Sequence, residues 1–264
     1  MLEEDKPRPT RHVLGLSGGK DSAALAIYLH QQNIAPDVEY YFSDTGKELP
    51  EVYSFLDKLE VYLGSEIKKL SAERDFDHYM KVKKHLLPSP QRRWCTRMLK
   101  IKPFEDFIGN DNAVSYIGIR ADENRKGYIS TKPNIKACYP FIEDGLVRDD
   151  IFRILRESVG VPEYYEWRSR SGCYFCFFQR QDEWVGLYRR HPDLFKKAQQ
   201  YEKTGHMENG YTWSQGQTLA DIAARADEIE EKAVMMRRPN DRRTWQEILA
   251  EEGEDDGSCL ACSL

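Results

Sequence analysis

Ser17-Gly18-Gly19-Lys20-Asp21-Ser22 is the stretch on which the reading of the fold turns. Residues 12–16 (His-Val-Leu-Gly-Leu) form a short apolar run before it. Residues 21–32 follow with Ala23, Ala24, Ile27 and Tyr28 at helical spacing. The order is strand, glycine turn, helix. Glycines let a backbone approach a polyphosphate, and the amides at a helix start add donors and the positive end of the helix dipole. Lys20 adds a point charge, and Ser17 and Ser22 add hydroxyl donors. The spacing is not Gly-x-x-x-x-Gly-Lys-Ser/Thr, which excludes the loop of kinase-like NTPases. A lone Ser-Gly-Gly reads as a turn with a helix cap at Ser17 or Asp21. The whole hexamer in this context predicts a phosphate-binding loop.

Working outward, residues 38–43 read as a second strand and residues 48–63 as a helix burying Val52, Phe55, Leu56, Leu59 and Leu63. Ile67 to Leu70 is a candidate third strand. Residues 97–108 read as a helix broken near Pro103, and Ser115 to Ile119 as a buried strand. This alternation predicts an α/β fold with a doubly wound parallel sheet and ligands at the strands' carboxyl ends. After about residue 145 the pattern turns helical, with helices over 149–160, 182–203 and 218–236 and an aromatic, arginine-rich stretch between the first two. The expected division is a nucleotide-binding core, 1–146, and a C-terminal helical part, 147–264, whose acidic tail from Glu251 reads as flexible.

Ser-Gly-Gly-Lys-Asp-Ser resembles the signature of PP-loop enzymes, which bind ATP and usually release pyrophosphate while adenylating a substrate. Three further segments narrow the likeness: Asp44-Thr45-Gly46; residues 94–103, Trp-Cys-Thr-Arg-Met-Leu-Lys-Ile-Lys-Pro; and residues 118–125, Gly-Ile-Arg-Ala-Asp-Glu-Asn-Arg. Together they resemble the phosphoadenylyl-sulfate (PAPS) reductase superfamily, including the Ssp- and Dnd-type enzymes of bacterial DNA phosphorothioation, a phage-defence chemistry. The likeness covers about residues 12–180. It implies an ATP site on Ser17, Gly18, Gly19, Lys20, Asp21, Ser22 and Asp44, with catalytic roles for Lys20, Asp21, Asp44 and Arg120.

Each of these residues carries a plainer alternative. A carboxylate at Asp44 suits Mg²⁺ bridging phosphate oxygens, but Asp-Thr-Gly is also good turn chemistry. Arg120 and Arg125 suit phosphate, and equally a salt bridge to Asp122 or Glu123. Lys100 and Lys102 suit a phosphorylated substrate or plain solvation.

The six cysteines do not form a disulfide framework in a chain of this size expected in the cytoplasm. In cluster-containing relatives a tandem Cys-Cys and a later C-x-x-C hold an iron–sulfur cluster. This chain keeps Cys95, Cys173 and Cys176 but has Thr96 in place of the second tandem cysteine. The likeness therefore implies a 4Fe-4S iron–sulfur cluster on three cysteines, with zinc on four thiols as the alternative. Cys138 reads as a buried thiol. The terminal pair Cys259 and Cys262 replaces the reductases' Glu-Cys-Gly-Ile/Leu-His segment and suits a sulfur carrier, a ligand pair or a plain end.

Hydrophobic residues make up 40% and charged residues 31% of the 264, an ordinary globular balance. No apolar run reaches the roughly 20 residues a membrane span needs, and a cytoplasmic enzyme is expected. The net charge of −5 argues against tight binding of nucleic acid by this chain alone. Yet Tyr164 to Arg170, with Phe177, Phe178, Gln179 and Arg180, interleaves aromatics with arginines as base-stacking surfaces do. Gln91 to Trp94 and Arg237, Arg238, Arg242 and Arg243 add basic patches. Core aromatics beside solvated arginines would give the same pattern. The expected function is an ATP pyrophosphatase that adenylates an acceptor phosphate for sulfur incorporation in DNA. A cysteine desulfurase would be the sulfur donor, and DNA would be reached through other subunits. PAPS reduction, tRNA thiolation and a non-catalytic nucleotide-sensing role are the alternatives.

Overall fold

The computed structural model describes residues 9–35, 37–124, 130–202 and 211–235. Five strands, β1 (Arg11–Gly15), β2 (Val38–Asp44), β3 (Ile67–Ser71), β4 (Ala113–Tyr116) and β5 (Ile135–Cys138), form one parallel sheet in the order β3-β2-β1-β4-β5. Helices α1 (Lys20–Gln32) and α2 (Pro50–Leu63) connect the first three strands. The chain winds outward from β1 to β3, then returns to β1's other side as β4. Connections therefore diverge at the carboxyl ends of β1 and β4, which opens a crevice there. The phosphate loop follows β1, so the topology places it at that crevice.

The sheet is buried on both faces because adjacent strand residues point to opposite sides. Val13 and Tyr41 pack with Phe104, Ile108, Ile117 and Ile119 on one face. Leu14, Tyr40 and Phe42 pack on the other with α1 and α2. On α2, Val52, Phe55, Leu56, Leu59 and Leu63 are all buried, as their spacing predicts. Each such side chain contributes roughly 1.5–3 kcal/mol.

A short helix, α3 (Phe76–Val82), precedes a helical stretch in three parts: α4 (Trp94–Thr96), a π-helical turn (Arg97–Ile101) and α5 (Lys102–Ile108). The sequence predicts a break near Pro103; the chain stays helical. Proline has no N–H to give to the carbonyl four residues back. The π turn takes up that mismatch upstream, with Lys102 N–H bonding to Arg97 O.

Beyond the sheet come α6 (Pro140–Glu143), α7 (Arg148–Arg156), a 3₁₀ turn (Glu163–Glu166), α8 (Gln181–Arg190), α9 (Pro192–Gln199), α10 (Leu219–Ala224) and α11 (Ala226–Met235). Helix α7 packs on α1, and one buried cluster runs from Leu14 to Ile229. The single helix expected over 182–203 is two, because Pro192 cannot continue the bonding of α8 and starts α9 instead. The helix expected over 218–236 divides at Arg225. The strand expected to Ile119 stops at Tyr116, and residues 117–119 leave the sheet. Strands β5 and helix α3 were not foreseen; β5 has a partly exposed surface without apolar alternation. Among the described residues no helix is long and apolar enough to cross a membrane. Arg125, Arg237, Arg238, Arg242, Arg243 and the tail from Glu251, with Cys259 and Cys262, lie outside the described residues.

The segment between the 3₁₀ turn and α8 is tied by one carboxylate. Glu183 is fully buried and accepts from Ser169 Oγ at 2.7 Å and from the Arg180 amide at 3.0 Å. Burial alone would raise its pKa, but the charges of Arg180 and Arg168 and the Ser169 bonds outweigh it, and the net shift is downward. A depressed carboxylate stabilises the fold above its unfolded pKa, and that stability is lost as pH falls through the folded value. Glu183→Ala is expected to cost roughly 3–5 kcal/mol in urea unfolding at neutral pH, since it strands buried donors and charge. Glu183→Gln should flatten the loss of stability that the parent protein shows below the ordinary glutamate pKa of 4.5.

Candidate functional site

The phosphate loop is shaped by its own side chains. Gly19 N–H donates to Ser17 Oγ at 3.3 Å, Ser22 Oγ donates to Gly19 O at 3.2 Å, and the two serine hydroxyls are 3.3 Å apart. Gly18 sits at φ +74°, a conformation that favours glycine, and a side chain there would meet Val52 Cγ1 at 2.7 Å. Ser17, Lys20 and Ser22 are all buried. From across the crevice, Gly118 closes on the loop: a Cβ there would lie 2.8 Å from Asp21 O. The glycine just after β4 thus lets that connection reach the start of α1.

Residues far along the chain complete the loop. Tyr165 Oη accepts from the Lys20 amide at 2.9 Å, Tyr164 Oη donates to Gly18 O, and Ser171 Oγ donates to Ser17 Oγ at 3.5 Å. The Lys20 ammonium lies 5.7 Å from the Tyr165 ring centre. The sequence leaves Tyr164 and Tyr165 open between a base-stacking surface and core aromatics. They are 1% and 2% exposed, so they are core residues clasping the loop. Trp167 and Arg168 are buried as well, and Arg168 donates to the Gly172 and Cys173 carbonyls at 3.3 Å each. The paired tyrosines after Pro162 carried no signal for this role, because their partner lies about 145 residues earlier.

Charge in the loop is balanced by a compact network. Lys20 Nζ is 3.2 Å from Asp21 Oδ2. Arg120, 1% exposed, reaches Asp21 at 3.0 Å, Asp122 at 2.9 Å and Glu123 at 2.8 Å. The salt-bridge alternative for Arg120 is the geometry present, joined by a link to Asp21. Burial pushes the Asp21 carboxyl up, yet the Lys20 and Arg120 charges prevail and hold it below its ordinary value. Asp21 is therefore an anion that orients Lys20 and Arg120. Asp44 ends β2, and its Oδ1 accepts from Gly46 N–H and Tyr53 Oη, each at 2.8 Å. The turn alternative is thus realised, at a half-buried carboxylate placed at a strand's carboxyl end. Lys102 pairs with Asp106 at 2.8 Å on the surface.

Four of the six cysteines lie in the described residues. Cys95, Cys138, Cys173 and Cys176 are partly buried thiols outside any disulfide. Among the described residues no group of three or more His, Cys, Asp or Glu is placed to hold a metal ion. Cys173 Sγ is 3.2 Å from Thr45 Oγ1 and donates to Glu48 Oε1 at 3.6 Å. Glu48 is 7% exposed, and its Oε2 is without a hydrogen-bond partner. Burial, then the Glu48 charge, push the Cys173 thiol well above its ordinary range against the pull of Lys100. A cluster or zinc ligand must be a thiolate. This arrangement, with a carboxylate against the sulfur, does not fit a ligand set of Cys95, Cys173 and Cys176. Glu48 escaped the sequence reading because nothing near it in the chain marks it; its partner is 125 residues away.

Comparison with known proteins places this geometry. Residues 11–135 match the phosphoadenosine phosphosulfate reductase domain, a range that takes in β1 to β4 and the loop after β1. The chain is 29% identical to an uncharacterized protein of Methanocaldococcus jannaschii over 70% of its own length and 40% of that protein's, so it spans well under half of that relative. It is 26% identical to an uncharacterized nin-region protein of Escherichia phage lambda, over 94% of this chain and 92% of the phage protein. A crystal structure of PAPS reductase from Candida auris in a phosphate complex is similar at 12% identity and a TM-score of 0.48, over 64% of this chain and 83% of that one.

The Gly118 contact gives a direct test of the crevice. Gly118→Ala is expected to cost roughly 1–3 kcal/mol, the usual penalty for an extra methyl in a packed site. Its thermal midpoint should fall, whereas Gly64→Ala, a left-handed helix cap with open space around it, should lose only about 1 kcal/mol.

Proposed function

We propose, from the match of residues 11–135 to the phosphoadenosine phosphosulfate reductase domain, that this protein is an ATP pyrophosphatase that adenylates an acceptor phosphate for sulfur incorporation. The observation that carries the reading is the buried loop lysine. Lys20 is 3% exposed at the first turn of α1, with Gly18 and Gly19 behind it and Asp21 and Arg120 fixing its charge. A buried cation beside helix-start amides is a preorganised cradle for a leaving polyphosphate.

In this reading the loop residues Ser17, Gly18, Gly19, Lys20 and Ser22 grip the β- and γ-phosphates of ATP. A non-bridging oxygen of the acceptor attacks the α-phosphorus. The bond from that phosphorus to the α,β-bridging oxygen breaks, and pyrophosphate departs with the electron pair. Lys20 and the serine hydroxyls stabilise the charge that develops on it. Asp44 is the carboxylate that would hold Mg²⁺, which neutralises phosphate charge when bound. Asp21 and Arg120 act by positioning Lys20. The acceptor is a DNA backbone phosphate, and the sulfur comes from a cysteine desulfurase as a persulfide on Cys259 or Cys262. The terminal sulfur displaces AMP, and the second cysteine then releases it, leaving a disulfide between the two. No step passes through a metal cluster.

PAPS reduction is the second reading, favoured by the identity of the matched domain. In it the same loop holds the sulfonucleotide's phosphates and ATP is untouched.

The two separate in one experiment. Purified protein with ATP and Mg²⁺, assayed for AMP and pyrophosphate, should show turnover that Lys20→Ala lowers by roughly 100-fold or more, the usual loss on removing a group that stabilises leaving charge. If ATP stays intact while phosphoadenylyl sulfate yields sulfite in the presence of thioredoxin, the reductase reading replaces the adenylating one.

A further inference from the structure

The turn Cys173-Tyr174-Phe175-Cys176 is anchored by its two middle residues. Tyr174 and Phe175 are buried, while the cysteines at either end are only partly so. Phe175 stacks on Trp213 with ring centres 5.0 Å apart and meets Phe76 at 4.5 Å. The Cys176 amide donates to Cys173 O at 3.0 Å, and the Tyr174 amide to Lys47 O at 2.8 Å. A four-residue turn closed in this way holds its end Cα atoms within roughly 7 Å. A disulfide spans about 4.4–6.8 Å between Cα atoms, so closing one here asks little of the backbone.

Around Cys173 the fold collects what thiol–disulfide exchange needs. Its Sγ donates to Glu48 Oε1 at 3.6 Å and lies 3.2 Å from Thr45 Oγ1. Thr45 Oγ1 in turn donates to Glu48 Oε1 at 2.9 Å. The other carboxylate oxygen, Glu48 Oε2, is buried without a donor, on a residue that is 7% exposed. A buried carboxylate oxygen left unsatisfied is costly, and taking up a proton removes that cost. Tyr53 of α2, Tyr174 and Cys176 of the turn and Lys100 of the π turn also couple electrostatically to this thiol, Lys100 in the direction that favours a thiolate. When Cys173 ionises, the Thr45 hydroxyl can turn toward the sulfur. The carboxylate that disqualifies Cys173 as a metal ligand thus suits a thiol that gives up its proton only as it attacks.

We propose that Cys173 and Cys176 are a redox dithiol that exchanges with an incoming cysteine disulfide, with Glu48 as the proton acceptor for Cys173. Ser171, two residues before Cys173, touches Ser17 of the phosphate loop, so the pair lies beside the crevice. Burial and the Glu48 charge keep Cys173 a thiol at rest, which leaves Cys176 to attack first. As the thiolate, Cys176 attacks one sulfur of the incoming disulfide. That S–S bond breaks, and the departing sulfur takes up the proton that Cys176 released. Cys173 then passes its proton to Glu48 and attacks Cys176 Sγ. The mixed disulfide breaks, and its outer sulfur leaves with the electron pair and takes the proton from Glu48. The pair ends as a disulfide. Two electrons and two protons have gone to the incoming disulfide, which leaves as two thiols. Thiols of the same class reverse the exchange and restore the pair. The inference stands whichever nucleotide the loop holds.

Glutathione disulfide is the probe. The full chain, purified anaerobically, is incubated in glutathione buffers of increasing oxidised fraction, quenched in acid and blocked with a maleimide. Tryptic peptide 171–180, which contains Cys173 and Cys176 and no other cysteine, is then read by mass spectrometry. In the parent this peptide should become two hydrogens lighter with neither thiol blocked, and should return to the dithiol in reduced glutathione. Cys173→Ser should stop at a glutathione adduct on Cys176. In Cys176→Ser, Cys173 should react roughly 10-fold more slowly than that, since its proton acceptor holds it as a thiol until it attacks. Glu48→Gln keeps the shape of the side chain. It should form the Cys176 adduct at the parental rate and close the disulfide roughly 100-fold more slowly, the low end of what a positioned proton acceptor contributes. A misfolded site would not divide the two steps in this way, and circular dichroism melts of each variant check the fold. The proposal is overturned if the parent peptide keeps both thiols at the most oxidising ratio, or if Glu48→Gln closes as fast as the parent. It is equally overturned if the purified protein carries iron or zinc that Cys173→Ser removes, because the pair is then a ligand set.

Discussion

Everything at the candidate site depends on a clasp between two distant parts of the chain. The loop after β1 has glycines where it needs them, but glycines permit a conformation without enforcing it. Enforcement comes from Tyr165 Oη on the Lys20 amide, Tyr164 Oη on the Gly18 carbonyl and Ser171 Oγ on Ser17. These groups lie where water is excluded, so a lost partner would leave a buried amide or carbonyl unsatisfied. The clasp also explains why the helical C-terminal part shares one core with the sheet. A detachable appendage could not hold a buried loop in register.

The electrostatics follow from the same burial. A lysine that is 3% exposed is costly unless its charge is answered nearby. Asp21 answers it, and Arg120 in turn holds Asp21 along with Asp122 and Glu123. The chain therefore keeps an alternating array of charges at the crevice, fixed before any ligand arrives. Preorganisation of this kind removes the reorganisation cost that water would impose.

How much of this was legible in the sequence depends on distance along the chain. The loop, four of the five strands and the apolar face of α2 were readable because their signals are local: a glycine hexamer, short apolar runs, a 3.6-residue repeat. The clasp was not, since Tyr164 and Tyr165 look the same in a core as on a stacking surface. Their interleaving with arginines pointed to nucleic acid, while burial shows Arg168 bonding to carbonyls inside the protein. Phe178, from the same stretch, does stay partly open, with Arg93 and Arg170 beside it. The surroundings of the cysteines were hidden for a related reason. Spacing along the chain brought Cys173 to attention, but spacing cannot reveal that Glu48 sits against its sulfur.

The π turn at Arg97–Ile101 adds a phase shift to one helix. An α-helix advances about 100° per residue, so a single extra residue in a turn rotates all that follows by that angle. Before the turn, Trp94 and Cys95 pack toward the C-terminal aromatic cluster. After it, Ile101, Phe104 and Ile108 lie under the opposite face of the sheet. One continuous rod thus serves two interiors. Shortening that turn by one residue would leave the helix intact as a helix yet misalign whichever interior it no longer faced.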